Sequence, residues 1–538
     1  MRKKTVLLLS LIWLSALIFN PFGANIFELP KLVFLSVFLS LAILVFAFRY
    51  FSNQKLTIKS NKWLWILLGL WLASLASSTI LSVAPELSFF GSYERLQGLY
   101  SQLIYVGLFL FIFNCLDDKK DQKVFLNSLL LISVIISIYA ILQKVGLDFF
   151  DAGITRSSGL FGRSFATLGQ PDFLGQFLLF PIWLSLGFAF TEKKKAIYVV
   201  SIILLILALI FTRNRASMLG LLLGAIFFVF YFLPLKKSAR FLLALALVVA
   251  FSAFIFFIAP ELRSLLSRFY IWQGAFALFP SHPLFGFGPE TFSIVFQKVA
   301  NPALFSLENF NQIADRAHNE YLDILLNQGL FGLSIYLTTI ISTLSLLLKK
   351  KSSPYLVAAL ISILISIFFS FSLTVHWLIL FTIIALALNQ NVKFHLLKIK
   401  RKISTTIIIL MISILAIANI FFVSRAFVAD MYLDSGMTTL LKESDKSAIA
   451  TIEYAAKLHP FQGEIYLRLG QAYLALSEFQ LAEENLSRYG KFTNYDFKYY
   501  YFMGLIKRAE GDNTSAQKYF LEAKSLAPTN PLILQQAM

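Results

Sequence analysis

Apolar blocks about 20 residues long follow one another along most of the chain, separated by short polar joints. They lie near residues 5–20, 32–49, 63–83, 98–116, 124–145, 171–191, 196–212, 216–235, 241–259, 324–348, 354–371, 373–390 and 403–423. A helix of that length crosses a hydrocarbon core of about 30 Å, so the pattern predicts 12–13 membrane spans. One polar interruption is much longer than the rest. Residues 260–323 form a loop that holds two of the five histidines, His282 and His318. The opening MRKK and the apolar run behind it also fit a secretory leader. No small-residue cleavage site follows and more spans do, so the first block is expected to stay as a helix.

Beyond residue 424 the pattern changes. Residues 425–538 are polar with helical periodicity and repeat every 34 residues: Gly436, Gly470 and Gly504, then Ala448, Ala482 and Ala516, then Ile452, Leu486 and Phe520. Pro460 and Pro528 stand two periods apart. Small residues let paired helices approach, and the large apolar residue is expected to fill the gap between neighbouring pairs. This pattern looks like tetratricopeptide repeats, with departures at Tyr489 and Asn494, where Ala and Pro are usual. The expected organisation is all-α: a membrane domain over 1–424 and a soluble repeat domain over 425–538. Such repeats bind peptides or proteins, so a protein partner is expected there.

Composition agrees with a polytopic membrane protein: 58% of residues are hydrophobic and 14% charged, against about a quarter charged in soluble domains. The net charge of +18 raises nucleic acid as a partner, and the placement of the charges argues against it. Up to Val423 there are 35 Lys+Arg and 16 Asp+Glu; from Ser424 onward there are 12 and 13. The excess sits in the joints. Under strict alternation, joints 2–4, 49–62, 119–123, 193–195, 236–240, 349–351 and 393–402 carry 24 basic residues and the opposite joints 11. The positive-inside rule then puts the N-terminus in the cytoplasm, and the long loop and the repeats outside. Cys115, the single cysteine, leaves no intrachain disulfide and no cysteine-based metal site.

Candidate chemistry gathers on the outward face. Arg213 and Arg215 occupy a tight hairpin between two spans with no acid nearby in sequence. Two readings fit: snorkelling to lipid headgroups, or bidentate capture of phosphate, which suits the planar guanidinium. Arg268 lies in a segment that reads as an amphipathic surface helix. Behind it, the turn with Gly286 and Gly288 is tight enough to turn backbone N–H groups towards an anion, and His282 beside it reads as structural. His318 stands where the loop becomes a span. It reads either as a proton acceptor, with Arg316 opposing its protonation, or as an interfacial polar residue. Asn319 and Glu320 are placed to bond a ring nitrogen or a sugar hydroxyl. Arg95, Arg163 and Arg316 are candidate cleft lining, with Glu94, Gly98, Arg156, Gly169 and Asp172 in the same outward loops. HExxH spacing and carboxylate-rich clusters are missing, so no metal site is expected.

The segments FTRNRASMLGLLLG, HPLFGFGPETF and RAHNEYLDILLNQGLFGL, in that order and spacing, resemble the O-antigen ligase and polymerase superfamily. The family's Ser-Arg-Gly/Ala step corresponds to Asn214-Arg215-Ala216, with Asn in place of Ser. Its Pro-Leu-x-Gly-x-Gly turn corresponds to Pro283 through Phe292, and its His-Asn-x-Tyr-Leu step with a later Gly to His318 through Gly329. GSYERLQGL and GQPDFLGQFL look like its earlier loops, and the resemblance covers roughly residues 80–390. It implies a GT-C-like helical bundle in the cytoplasmic (inner) membrane. It also implies metal-independent, inverting transfer of a glycan from undecaprenyl diphosphate to an acceptor lipid or protein, without a cofactor. His318 would be the base, and Arg215 with Arg268 and Arg213 would hold the diphosphate. A polymerase of lipid-linked repeat units is the nearest alternative. A transporter is disfavoured because the mid-span positions are almost free of charge, and a pure scaffold leaves the arginine hairpin and His318 without a job.

Overall fold

The computed structural model describes residues 2–53, 55–116, 118–148, 162–258, 263–307, 314–349, 353–400, 402–443 and 446–536. Arg156 and the joint at 350–352 lie outside the described residues.

Each of the thirteen apolar blocks falls on a helix. The first is α1 (Arg2–Ser10), continued by a 3-10 turn, Leu11–Ala16. Then come α2 (Glu28–Asn53), α3 (Lys62–Ile80), the short α4 (Pro85–Phe90), α5 (Leu99–Cys115) and α6 (Lys119–Lys144). Next are α7 (Pro171–Thr191), α8 (Lys195–Thr212), α9 (Arg215–Phe232), α10 (Lys237–Ile258) and, within the long loop, α11 (Arg263–Leu278). The bundle closes with α12 (Glu320–Lys349), α13 (Pro354–Ser366), α14 (Thr374–Asn391) and α15 (Ile403–Glu443). Among the described residues, nine of these are long and apolar enough to cross a membrane, and Thr5–Ala16, Leu99–Cys115 and Pro354–Ser366 are shorter apolar helices. α7 and α14 are the most enclosed of the spans.

Hydrogen bonds and ion pairs between the joints divide the bundle into two poles. At the basic pole, β1 (Lys55–Ser60) and β2 (His395–Lys400) form a two-stranded antiparallel sheet with Thr57 opposite Lys398. This pair is the exception to the all-helical expectation. Strand pairing satisfies the backbone of two basic joints where each leaves its helix. Lys59 adds bonds to the Phe113 carbonyl and to Asn389, and Lys123 pairs with Glu192. At the loop pole, Thr374 N–H donates to Glu28 (3.3 Å) and Arg95 pairs with Asp315 (2.7 Å). Each of these contacts joins segments that strict alternation puts on the same side.

The repeat region grows directly out of α15, a 41-residue helix that runs from the last apolar block into the first repeat. It pairs with α16 (Lys446–Leu458), followed by α17 (Gly463–Ala475) with α18 (Phe479–Phe492), α19 (Phe497–Ala509) with α20 (Asn513–Leu526), and a short α21 (Pro531–Gln536). The 34-residue pattern has a plain packing cause. A Cβ on Gly436, Gly470 or Gly504 would lie 2.5–2.6 Å from Ile452, Leu486 or Phe520 respectively. The large residue therefore fills the space against the glycine of its own helix pair, where a gap between neighbouring pairs was expected. Tyr489, one of the two departures, is buried and donates to Asp496 at 2.5 Å.

Candidate functional site

The long loop and α12 are joined by a break in the helix. Gly329 leaves helical geometry (φ 66°, ψ −167°), which releases backbone groups on both sides. The Gly-Phe-Gly turn meets them: Phe287 and Gly288 N–H donate to the Leu326 and Asn327 carbonyls (2.7 and 3.0 Å). In return, Leu330 and Phe331 N–H donate to the Pro283 and Leu284 carbonyls (2.8 and 3.2 Å). Irregular backbone inside a bundle needs such partners. This corrects the expectation for Gly286 and Gly288. Both are buried in the packing, and the turn's N–H groups are spent on protein carbonyls instead of facing an anion. His282 is exposed and lies against the Phe287 ring at 4.2 Å.

His318 sits in the left-handed region (φ 50°), an uncommon place for a side chain larger than glycine. Its neighbours hold it there. Ala317 N–H donates to Asp323 (2.9 Å), and the Ala317 carbonyl accepts from the Trp272 indole (2.9 Å). Asn319 caps α12 by accepting from Tyr321 and Leu322 N–H. Glu320 is buried, accepts from Ser372 N–H (2.6 Å) and donates its own N–H to the Ile367 carbonyl. The expectation that Asn319 and Glu320 bond the imidazole or a sugar is therefore replaced: they fix the backbone on which His318 stands. The imidazole is half-buried, rests against Phe371 at 5.6 Å, and makes no side-chain hydrogen bond among the described residues.

Three charged elements surround it. Arg95 pairs with Asp315 and lies over Phe173 (5.6 Å) and Phe371 (5.3 Å). Burial works against the Asp315 charge, but Arg95 and then His318 hold its carboxyl below the usual range. Arg268 and Asp172 act on His318 electrostatically with opposite sign. Burial first, with Arg268 and Arg95 adding to it and Asp315 opposing, pushes the His318 pKa below its ordinary 6.5. Arg316 was expected to do this. Instead it is buried, forms an ion pair with Glu290, and lies over Phe371 at 5.4 Å. Glu290 also accepts from Ser92, so the pair ties the long loop to the loop after α4.

The arginine hairpin is built from capping. Arg213 ends α8 in the left-handed region, and Asn214 starts α9 by accepting from Ser217 N–H (3.0 Å). Asn214 also donates to the Asp172 carbonyl (2.9 Å), and Arg163 bridges the Thr212 carbonyl (2.9 Å) and the Asp172 carboxylate (2.8 Å). The Asp172 carboxylate of α7 thus pairs with Arg163 beside the hairpin. Arg213 is exposed and Arg215 half-buried. Sequence reasoning did not single out Asp315, Glu290 or Phe371. A signal existed for Asp315, adjacent to Arg316, and for Glu290, inside the HPLFGFGPETF segment.

Among the described residues, no group of three or more His, Cys, Asp and Glu side chains is placed to hold a metal ion. Fold and site together define a multi-pass membrane protein with a histidine held among arginines at one pole and helical repeats beside it. Residues 200–337, from α8 through the arginine hairpin and His318 to the α12 break, match the family model described as O-Antigen ligase. Residues 497–530 match that of a Tetratricopeptide repeat. These two stretches are therefore similar to an O-antigen ligase domain and to a tetratricopeptide repeat. No curated protein matches it.

Proposed function

We propose that the protein transfers a glycan from undecaprenyl diphosphate to a hydroxyl of a lipid or protein acceptor at the outer face of the cytoplasmic membrane. The observation that carries this reading is His318 resting against Phe371, the ring over which Arg95 and Arg316 also lie, within a stretch that matches the O-antigen ligase model. His318 takes the acceptor proton, and the acceptor oxygen forms a bond to the anomeric carbon from the face opposite the diphosphate. The bond from that carbon to the diphosphate oxygen breaks, and undecaprenyl diphosphate leaves with the electron pair. Arg215, Arg213 and Arg268 meet its growing charge, the role fixed cations play in a site that excludes water. A histidine kept neutral near pH 7 is ready to accept the proton without first losing one.

Purified protein in lipid vesicles, given undecaprenyl-diphosphate glycan, envelope acceptors and EDTA, should move the glycan to an acceptor. His318→Ala should lower the rate at least about 100-fold, and Arg215→Ala should weaken donor use, both in folded protein. Growth of the glycan on its own carrier would assign a polymerase. No transfer of either kind, with donor binding indifferent to Arg215→Ala, would overturn the proposal.

A further inference from the structure

A second feature of the loop pole is not used by the transfer step. A cavity of about 240 Å³ opens between the turn before α2, the loop after α4 and the start of α7. Its wall includes Phe27, Glu28, Glu94, Arg95, Gln170 and Phe173. Two aromatic rings, an amide, two carboxylates and one guanidinium make a mixed surface. The guanidinium is already paired with Asp315, so the cavity is not built for an anion. It is too polar for an acyl chain. It is also smaller than the about 300–1,000 Å³ of pockets that enclose drug-sized ligands. A sugar ring, with hydroxyl groups around its rim and apolar C–H groups on its faces, matches such a wall.

The cavity is held from outside. Asn25, which also lines it, donates to the Tyr93 carbonyl at 2.5 Å and receives α2's first N–H groups. Asp430 of α15 accepts from Tyr93 and from Asn25 N–H. The helix that enters the repeats therefore buttresses the wall. On the inner side, Arg95 and Phe173 line the cavity, and Arg95 also touches Phe371, against which His318 rests.

We infer that this cavity is a saccharide subsite that seats one sugar ring of the acceptor beside His318. The inference rests on the transfer reading for its choice of acceptor. Asp172 is tied to the arginine hairpin through Asn214, whereas the cavity reaches Phe371, the ring beside His318, through Arg95, so hairpin and cavity are linked through different residues. Neither Gln170 nor Glu94 makes a side-chain hydrogen bond among the described residues, so substituting them breaks none within the fold.

The test uses the full chain in vesicles with Gln170→Leu and Glu94→Gln. Each should raise the acceptor KM about 3- to 10-fold, as loss of one hydrogen bond does, and leave the donor KM within about twofold. A rise confined to the donor KM overturns the assignment to the acceptor. A second readout is independent of turnover. Envelope glycan released from its lipid by mild acid should show saturation-transfer NMR contact with the wild type, weakened in both variants. Binding without transfer would sink the transfer reading and leave the subsite standing. Transfer with both variants indistinguishable from wild type in both readouts overturns the subsite.

Discussion

His318 is defined less by its own partners than by those of its neighbours. Ala317, Asn319 and Glu320 each spend their polar groups on holding the backbone. The imidazole is left against Phe371 with nothing bonded to it among the described residues. A left-handed histidine costs of order 1–3 kcal/mol and persists only where the surroundings impose it, which is the position expected of a group that must face a substrate. The sign of its pH dependence follows from burial and the nearby arginines. Both hold the pKa below its ordinary 6.5, and under the proposed mechanism protonation removes the active, neutral form. The transfer rate at saturating donor should stay flat around pH 7 and fall only at pH values below 6.5. A limb centred above 6.5 would mean that another group is being titrated.

At the scale of elements, the most informative joint is the break in α12. A Cβ on Gly329 would sit 2.2 Å from the Leu284 backbone, in a conformation that side chains rarely adopt. Gly329→Ala must therefore separate α12 from the turn and expose four backbone hydrogen bonds. Its thermal unfolding in detergent should move down sharply, with loss of folded yield. Gly69→Ala in α3, where nothing lies within 4 Å of the added Cβ, should leave both unchanged. Equal effects from the two would show that the turn and α12 are not coupled. The short hinge between α13 and α14 belongs to the same logic: read as a joint in the sequence, it is where Phe371 reaches Arg95, Arg316 and His318.

Across the whole molecule, the two poles and the repeats form one arrangement. The repeats reach back to the loop pole: Phe461 stacks on Phe90 at 5.7 Å, and Thr529 donates to the Ala300 carbonyl at 2.9 Å. Positive-inside reasoning puts that pole outside the cytoplasm. With Cys115 replaced by Ser, a membrane-impermeant thiol reagent on intact spheroplasts should label Lys298→Cys and Tyr495→Cys and miss Lys237→Cys. The reverse pattern would invert the molecule and remove the site from any lipid-linked glycan on the outer face.

The sequence by itself determined the order of apolar helices and the helical repeats, and its charge count carries the expectation of the side each joint faces. These depend on block length, charge count and period, all local quantities that survive without knowledge of contacts. It also located the arginine hairpin and His318, because the residue types and their place beside spans are legible in a single segment. Only the tertiary structure decided what each charge does. Arg95 meets Asp315 from 220 residues away, and Arg316 finds Glu290 instead of opposing His318. Asn319 and Glu320 become supports, while the turn at Gly286 and Gly288 serves the broken helix. Pairing and capping depend on distances of about 3 Å, and such distances across a bundle are set by how helices pack.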